Sequence, residues 1–279
     1  FDRGVSKENV FVPRSKEVDL RKKENCVAVV RGQDIVIHLA GTTGGIAFHK
    51  EHPAQTFYDN LMMGVELMEA ARNACVEKFV TIGSATEYPE HAPLPFKEEN
   101  LWLGPSEEIH VPYAIAKKML LVQAQAYRKQ YGFNGIHLLM ANMYGPGDAK
   151  SSFVLPTLVK RIRVAEEKNT GFIEVWGTGK ATRDFLYVED AAEGIILATE
   201  KYESSQPVNI ASGEEISIRE AVITLARLMN FKGEVRWDAT KPDGQLRRML
   251  DAGRAEKEFG FRAPTDFDTG IKKTLQSYL

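Results

Sequence analysis

The sequence predicts an α/β protein built on a doubly wound parallel sheet, with a smaller α/β region towards the C-terminus. Short runs of β-branched residues alternate with longer helical patterns, which is the order typical of a parallel sheet with crossover helices. The candidate strands are continuously apolar rather than alternating, as expected where helices cover both faces of a sheet. Hydrophobic residues make up 43% of the 279 residues. This length suggests about two domains, at roughly 100–200 residues each.

In the first half of the chain, predicted strands and helices alternate regularly. The strand candidates span residues 9–12, 34–39, 78–82 and 135–140. Apolar residues at helical spacing predict a helix over residues 56–75, and a second helix follows over residues 113–130, where Ala, Lys, Leu and Gln are frequent. Gly132 stands two residues after this second helix, where a glycine cap is expected.

The pattern changes after a Gly/Pro cluster near residue 145, and a second small α/β region is expected from about residue 208 onwards. The predicted elements are, in order, a helix at residues 154–168, a strand at 172–176 and helices at 218–229, 251–259 and 265–279. Ser217 and Glu220 form a capping box that opens the helix over residues 218–229. We expect the second region to pack against the first and to leave a cleft between them.

Charge and cysteine content exclude several classes of protein. The chain has 36 Lys and Arg against 38 Asp and Glu, a net charge of −2, which argues against a nucleic-acid binder that relies on phosphate neutralisation. The two cysteines, Cys26 and Cys75, are too few for a disulfide framework and fit a reducing compartment. No apolar run reaches the roughly 18 residues that span a membrane. We therefore expect a cytoplasmic protein with no nucleic-acid partner, membrane partner or metal site.

The strongest chemical signal is a tyrosine and a lysine four positions apart on the second predicted helix. At this spacing Tyr113 and Lys117 lie on one helix face. A phenol has an ordinary pKa of about 10, and bringing it to about 7 requires roughly 4 kcal/mol of stabilisation, part of which a nearby ammonium supplies. The alternative is a chance pair, because this spacing occurs on many helices.

A serine at the end of a predicted strand strengthens the interpretation. Ser84 follows the strand over residues 78–82, at the sheet edge where ligands of open α/β sheets bind. The alternative is a serine that only terminates the strand. With Tyr113 and Lys117, it could polarise a carbonyl or hydroxyl group while a hydride moves to or from a nicotinamide ring.

Seven motifs, in order along nearly the whole chain, resemble those of one enzyme family. They are HLAGTTGGI (38–46), GSATEYP (83–89), PYAIAK (112–117), NMYGPGD (142–148), WGTGKATRDFLYVED (176–190), PVNIASG (207–213) and KPDGQLRRMLD (241–251). On these motifs the chain resembles the extended short-chain dehydrogenase/reductases that modify nucleotide sugars. Within that family it is most similar to the epimerase/reductases of the GDP-L-fucose synthase type, which act on GDP-4-keto-6-deoxymannose.

The resemblance implies a Rossmann-type fold and roles for individual residues. Residues 1–145 would bind NAD(P), and residues 146–279 would mainly bind the nucleotide sugar, except that about 184–200 would return to the first domain. The catalytic residues would be Ser84, Tyr113 and Lys117. The cofactor would contact Arg14, Lys16, Asp19, Leu20, Leu39, Ala40, Gly41, Tyr113, Lys117 and Met143. The nucleotide sugar would contact Gly44, Gly45, Thr86, Asn142, Val154, Lys160, Trp176, Arg183 and Lys241.

Within this scheme, Tyr113 would donate or accept the proton, and Lys117 would lower its pKa and hold the nicotinamide ribose. Arg183 would face the diphosphate or the nucleotide. Its alternative role is a salt bridge with Asp184 or Glu189.

Two features near the start of the chain concern the cofactor. Arg14 and Lys16 follow the strand over residues 9–12, where an NAD enzyme usually carries an acidic residue that binds the ribose. This basic pair favours NADP over NAD, which remains an alternative, as does a solvated loop. The family motif G-x-x-G-x-x-G does not precede the first strand, and we expect that roughly 25–30 family-like residues belong before it.

Departures from the family pattern concern the reaction itself. GDP-L-fucose synthases use a cysteine and a histidine for epimerisation, at the positions that Thr86 and Gly147 occupy here. Neither residue can act as an acid or base next to a ketone, so double epimerisation at C3 and C5 is disfavoured. The expected function is an NAD(P)-dependent nucleotide-sugar epimerase/reductase with hydride transfer at sugar C4. The alternatives are a 4-epimerase that retains NAD(P), a GDP-mannose 3,5-epimerase and a dinucleotide-binding scaffold without turnover.

The expected partners are a nucleotide sugar, most simply GDP-linked, and a second copy of the chain. In many relatives the helices that correspond to residues 56–75 and 113–130 pair across a two-fold axis. Leu120, Val122 and Ala126 could lie on such an interface of a homodimer, or could belong to the ordinary core.

Overall fold

The computed structural model describes residues 3–148, 152–241 and 243–278. In chain order its strands are β1 (Ile35–His38), β2 (Lys78–Ser84), β3 (Gly135–Met140), β4 (Asn142–Tyr144), β5 (Phe172–Trp176), β6 (Thr182–Arg183), β7 (Phe185–Tyr187), β8 (Val208–Ile210), β9 (Ile216–Ser217) and β10 (Glu234–Asp238). Four of them form a parallel sheet in the order β1-β2-β3-β8. This main sheet confirms the predicted α/β fold with parallel strands.

Six of the nine helices in the described residues correspond to predicted ones, and those at residues 23–30, 46–51 and 188–201 were not predicted. The nine helices are α1 (Lys23–Val30), α2 (Ile46–Glu51), α3 (Pro53–Asn73), α4 (Val111–Tyr131), α5 (Val154–Glu167), α6 (Val188–Lys201), α7 (Ile218–Leu228), α8 (Gly253–Phe259) and α9 (Phe267–Gln276). Helix α4 ends at Gly132, which adopts the left-handed conformation with φ of 69°, and Ser217 and Glu220 form both hydrogen bonds of a capping box at the start of α7. Among the described residues, no helix combines the length and apolarity that a membrane crossing requires.

Alternate residues of β2 point into two separate cores, one on each face of the main sheet. Phe79 faces a core that α1, α3 and α4 close, where Met68 and Leu120 are fully buried. Val80 faces the opposite core, to which α6 and α8 contribute Ala198 and Phe259. Both faces of the sheet are therefore covered by helices, as its continuously apolar strands predict.

The second region has its own core, built on the parallel pair β5 and β10. Helices α5, α7 and α9 bury Ile162, Leu225 and Ile271 in it. Strand β8 does not belong to this region, because Val208–Ile210 pairs with β3 and completes the main sheet. The core of the second region thus includes α5 and β5, which precede residue 208, as well as elements after β8. The domain division at residue 145 remains a prediction.

The strand predicted over residues 9–12 is wrong. Residues Lys7–Asn9 form a single 3-10 turn, and Val10, Phe11 and Val12 follow it with 42%, 56% and 55% of their surface exposed. A strand requires a neighbour that accepts and donates its main-chain hydrogen bonds. None of the described strands pairs with these residues, so their β-branched composition does not by itself produce a strand.

The packing of α3 against α4 allows a direct test of the fold. Gly64 of α3 leaves the space that the methyl groups of Leu120 fill, because a Cβ at residue 64 would overlap them. Replacing Leu120 with Ala should lower the free energy of unfolding by about 2–5 kcal/mol, as measured by urea denaturation. The matched control is Ile223→Ala on the outer surface of α7, because 57% of the surface of Ile223 is exposed. Equal effects of the two substitutions would contradict this packing.

Candidate active site

Ser84 is the last residue of β2 and the cap of the short 3-10 turn Ala85–Glu87. Its hydroxyl oxygen accepts hydrogen bonds from the Thr86 N–H at 3.2 Å and from the Thr86 hydroxyl at 3.0 Å. A serine oxygen has two acceptor positions and one proton to donate. Since Thr86 occupies both acceptor positions, Ser84 is left with its own proton for a ligand oxygen.

Tyr113 and Lys117 lie on successive turns at the start of α4. The helix begins at Val111, and Pro112 occupies its first turn, where a missing N–H costs nothing. Lys117 Nζ lies 5.8 Å from the centroid of the Tyr113 ring, and only 3% of Lys117 is exposed. Within the described parts of the chain, neither Lys117 Nζ nor the Tyr113 hydroxyl has a hydrogen-bond partner, so both groups can bind a ligand.

Burial changes the protonation of both groups. It raises the pKa of Tyr113, and the nearby Glu87 carboxylate adds to this rise. Burial lowers the pKa of Lys117 to about 8, although Glu87 acts in the opposite direction. At neutral pH the phenol therefore carries its proton and the lysine is mainly an ammonium, which is the state of a proton donor beside a cation.

The loop over residues 39–41, directly after β1, passes beside this lysine. A Cβ on Gly41 would lie 3.2 Å from Asn60 Oδ1 and 3.7 Å from Lys117 Nζ. Asn60 holds the loop in place, since its Oδ1 accepts from the Thr42 N–H at 3.1 Å and its Nδ2 donates to the Thr42 carbonyl at 2.7 Å. The small residue, the bare backbone and the unpaired ammonium fit the ribose of a nicotinamide cofactor.

Two other residues expected near the cofactor have partners within the protein. Both carboxylate oxygens of Asp19 accept from Arg21, at 2.8 and 2.9 Å, and these bonds lower the pKa of Asp19 to about 2. Arg21 also donates to Asp59 at 2.8 Å, and Asp59 accepts from the Thr42 hydroxyl at 3.3 Å. Leu20 packs against the core on the α1 side of the main sheet. Asp19 is thus connected, through the Arg21 ion pairs and one hydrogen bond, to Thr42, which follows the 39–41 loop.

Arg14, Lys16 and Met143 are exposed. Neither basic side chain has a hydrogen-bond or ion-pair partner in the part of the chain that the structure describes, and 45% of Met143 on β4 is exposed. All three are accessible to a ligand.

Trp176 lies between cations on the expected substrate side. The Trp176 surface is 56% exposed. Arg161 Cζ lies 5.7 Å and Lys241 Nζ lies 5.8 Å from the centroid of its ring. Lys160 and Arg161 also line an open concavity beside α5. An aromatic ring flanked by cations suits an aromatic anion such as a nucleotide. Pro242, which follows Lys241 in the motif over residues 241–251, lies outside the described residues.

Arg183 binds main-chain carbonyls rather than a carboxylate. Its Nη1 donates to Thr182 O and to Gln245 O, both at 2.7 Å. The alternative salt bridge with Asp184 or Glu189 is absent from the described residues. Burial lowers the pKa of Arg183 to about 10, far enough above neutral pH for the guanidinium to stay charged.

The remaining expected substrate contacts lie on the Gly44–Gly45 loop, in the turn after β2, on β4 and on α5. The Gly45 N–H donates to Ser152 Oγ at 2.7 Å, which connects the Gly44–Gly45 loop to the start of α5, where Val154 is half-buried. Asn142 begins β4 and is half-buried. From the sequence, only the family resemblance assigned these residues to one site. The hydrogen bond from Gly45 to Ser152 joins two of the segments that carry them.

Sequence reasoning missed a histidine pair beside Tyr113. The His49 ring lies edge-on to Tyr113 at 5.6 Å and to His110 at 5.0 Å. His110 Nδ1 donates to Glu107 at 2.9 Å, and Arg248 binds the same carboxylate oxygen at 3.1 Å. Proximity in the sequence to predicted site residues could have indicated this pair, because His110 stands three residues before Tyr113 and His49 stands four residues after Gly45.

The two histidines differ in their chemistry. Burial and the neighbouring His110 lower the pKa of His49 to about 4, so it is neutral at pH 7. His110 donates through Nδ1, which leaves Nε2 without a partner among the described residues and able to accept a proton. Within those residues, no group of three or more His, Cys, Asp or Glu side chains could hold a metal ion.

Comparison with known proteins gives concordant matches. The profile of the NAD dependent epimerase/dehydratase family matches residues 1–211. A GDP-L-fucose synthase of Sinorhizobium fredii is 36% identical over 275 residues, covering 97% of this chain and 87% of that protein.

Two solved structures are similar along nearly the whole chain. A GDP-mannoheptose C4 reductase from Campylobacter jejuni with NADP bound has a TM-score of 0.89 and 26% identity, covering 99% of this chain and 91% of that one. A GDP-L-fucose synthetase from Naegleria fowleri bound to NADP has a TM-score of 0.85 and 27% identity, covering 96% and 84%.

The protonation of Lys117 can be measured directly. With ¹³Cε-labelled lysine, we expect the NMR signal of Lys117 to titrate with a midpoint near pH 8, because burial lowers its pKa to about 8. The signal disappears in Lys117→Arg, which assigns it. A midpoint at or above the ordinary value of about 10.4 would contradict the buried, unpaired ammonium.

Proposed function

The chain belongs to the NAD dependent epimerase/dehydratase family, and from this we propose that it is an NADP-dependent reductase of a GDP-linked 4-keto sugar. The observation that carries the proposal is the set of unpaired donors at one sheet edge. Ser84 has both acceptor positions filled, and Tyr113 is a half-buried residue whose phenol has a raised pKa and keeps its proton. A carbonyl oxygen is the ligand group that such donors fit.

The reaction follows from these donors. The Ser84 hydroxyl polarises the C4 carbonyl by donating to its oxygen, and Tyr113 gives its proton to the same oxygen as the alkoxide forms. The Lys117 ammonium stabilises the resulting phenolate, which solvent then reprotonates. NADPH supplies the hydride to C4 when bound. One hydride and one proton thus convert the ketone into an alcohol.

The choice of NADP rests on two observations. Both of the solved relatives described above contain NADP. Arg14 and Lys16 are exposed and unpaired among the described residues, in the segment expected to meet the adenosine ribose. Guanidinium and ammonium groups there suit a 2′-phosphate.

The GDP-linked substrate is supported by the names of the relatives and by charge. Trp176 with Lys241 and Arg161 offers a stacking surface between cations. Arg183 stays charged despite burial, and its main-chain bonds hold it in place. A nucleoside diphosphate supplies both an aromatic base and two phosphates for these groups.

One observation favours a second candidate, an epimerase/reductase that also exchanges the proton beside the ketone. Thr86 and Gly147 offer no acid or base, since the Thr86 hydroxyl donates to Ser84 and Gly147 has no side chain. His110, however, is oriented by Glu107 at 2.9 Å and has an unpaired Nε2 among the described residues. A base held in this way could remove a proton next to the C4 carbonyl.

The reductase proposal predicts a defined assay result. The protein should oxidise NADPH when GDP-4-keto-6-deoxymannose is added, and Tyr113→Phe should lower kcat by about 10²–10⁴-fold, because the proton donor is lost. Tyr131→Phe at the far end of α4 is the matched control and should retain wild-type activity. If the substrate produces no loss of nicotinamide absorbance, the reductase is refuted.

The same reaction run in D₂O separates the two candidates. For the C4 reductase, mass spectrometry of the product should show no carbon-bound deuterium at C3 or C5. Deuterium at either position that disappears in His110→Asn would establish the epimerase/reductase instead.

We also propose a homodimer that forms through α3 and α4. Val122 and Ala126 lie one turn apart on the exposed face of α4, whereas Leu120 is buried. On α3, Phe57 and Tyr58 are 38% and 55% exposed. Sedimentation velocity should show a dimer that Val122→Glu converts to a monomer, while Ile223→Glu on α7 does not. A monomeric wild-type protein would refute the proposal.

A cytoplasmic location is proposed as well. Both cysteines are free thiols, Cys26 buried and Cys75 exposed, which fits a reducing compartment. Fractionation of cells that express the chain checks this, and recovery outside the cytoplasmic fraction would refute it.

A further inference from the structure

A fully buried carboxylate and imidazole lie beneath the catalytic serine. Glu87 is 0% and His137 is 1% exposed, and Glu87 Oε2 lies 3.1 Å from His137 Nε2. The other carboxylate oxygen, Oε1, accepts from the Ser84 N–H at 2.8 Å. His137 Nδ1 contacts the Thr81 hydroxyl at 2.7 Å. The pair therefore connects the middle of β2, through β3, to the main chain of Ser84.

Every polar atom of this pair has a partner. Because Glu87 accepts from the Ser84 N–H, we assign the Nε2 proton of His137 as donated to the second carboxylate oxygen. The Thr81 hydroxyl lies 2.7 Å from Nδ1 and also donates to the Ile136 carbonyl at 3.0 Å. Glu87 and His137 thus form a buried polar pair in which every polar atom has a hydrogen-bond partner.

The backbone before Ser84 fits closely over the pair. A Cβ on Gly83 would overlap both Glu87 Oε1 and His137 Nε2. Only glycine can occupy this position while the pair is in place. The main chain at the end of β2 therefore rests directly on the carboxylate and the imidazole.

The carboxylate also acts on the other two catalytic groups. Its charge raises the pKa of Tyr113 and opposes the effect of burial on Lys117. On the other elements that face Lys117, His38 of β1 is buried and has a pKa lowered to about 3, so it is neutral. Lys118 on α4 points away to the Leu101 carbonyl at 2.8 Å. Glu87 is the acidic group whose charge acts on both Tyr113 and Lys117.

We propose that Glu87, held by His137, is a positioning residue of the active site. It fixes the main chain of Ser84, so that the serine hydroxyl faces the ligand, and it presents a negative charge to the Tyr113–Lys117 pair. The proposal rests on the proposed function in that these three groups act on a carbonyl. It adds a residue that touches neither substrate nor cofactor and controls those that do.

Two substitutions separate the two effects of Glu87. Glu87→Gln keeps an acceptor for the Ser84 N–H and removes the charge. We expect it to leave KM within about twofold and to move the alkaline limb of the kcat–pH profile to lower pH by about half a unit to one unit, because the Lys117 ammonium loses its support. Glu87→Leu also removes the acceptor, and kcat should fall by about tenfold to a hundredfold.

The matched control is Glu98→Gln. Glu98 is also a buried carboxylate, 7% exposed, and it accepts from the Asn209 N–H at 2.9 Å. It is not among the groups that act on Tyr113 or Lys117. Glu98→Gln should therefore leave the pH profile unchanged, whatever it does to stability.

A second readout requires no turnover and is independent of the proposed function. In the free protein, the ¹³Cε signal of Lys117 should titrate at a lower pH in Glu87→Gln than in the wild type, and at an unchanged pH in Glu98→Gln. This result would stand even if the GDP-sugar assay failed, so failure of the reductase and failure of this proposal are distinguishable.

A double-substitution cycle tests whether the effect passes through Ser84. In a Ser84→Ala background, the further loss of kcat caused by Glu87→Leu should shrink to about twofold or less, since coupled residues are not additive. The proposal is overturned if Glu87→Gln leaves both the kcat–pH profile and the Lys117 titration unchanged, or if Glu98→Gln shifts them equally. If Glu87→Leu does not fold, Glu87→Gln alone decides.

Discussion

The parallel pairing of β2 with β3 is the constraint on which the rest of the site depends. Its register places Thr81 opposite His137 and Ser84 opposite Met140. Because successive side chains of a strand alternate between faces, a slip of one residue would move His137 to the other face of the sheet. The buried partner of Glu87 would then be lost, together with the support of the Ser84 main chain.

The segment over residues 245–251 forms main-chain hydrogen bonds with both halves of the protein. It bonds to the second region where Asp184 N donates to Arg248 O at 3.0 Å, and to the first region where Phe96 N donates to Met249 O at 2.8 Å. Arg248, buried within it, binds the Glu107 that orients His110. Gln245 in the same segment accepts from Arg183, so one piece of chain positions both His110 and Arg183.

Local signals predicted three of the four strands of the main sheet and six of the nine described helices, whereas the short strands and the pairing partners depend on non-local contacts. The limits of β3 and β5, the Gly132 cap and the Ser217 capping box depend on neighbouring residues, so the sequence predicts them well. The strand over residues 9–12 failed because a strand requires a partner that composition does not reveal. The motifs named the residues Ser84, Tyr113 and Lys117, but not the pair Glu87 and His137. Those two residues are 50 positions apart, and only the register of the sheet brings them together.

The bonds from Thr86 to Ser84 have a consequence for how strongly the site binds successive species along the reaction. With both acceptor positions of its oxygen occupied, Ser84 can act towards a ligand only as a donor. An oxygen that gains negative charge is a better acceptor than a neutral one, so this hydrogen bond strengthens as a ketone becomes an alkoxide. In the proposed reaction, Thr86 would therefore make Ser84 a hydrogen-bond donor that binds the transition state more tightly than the ground state.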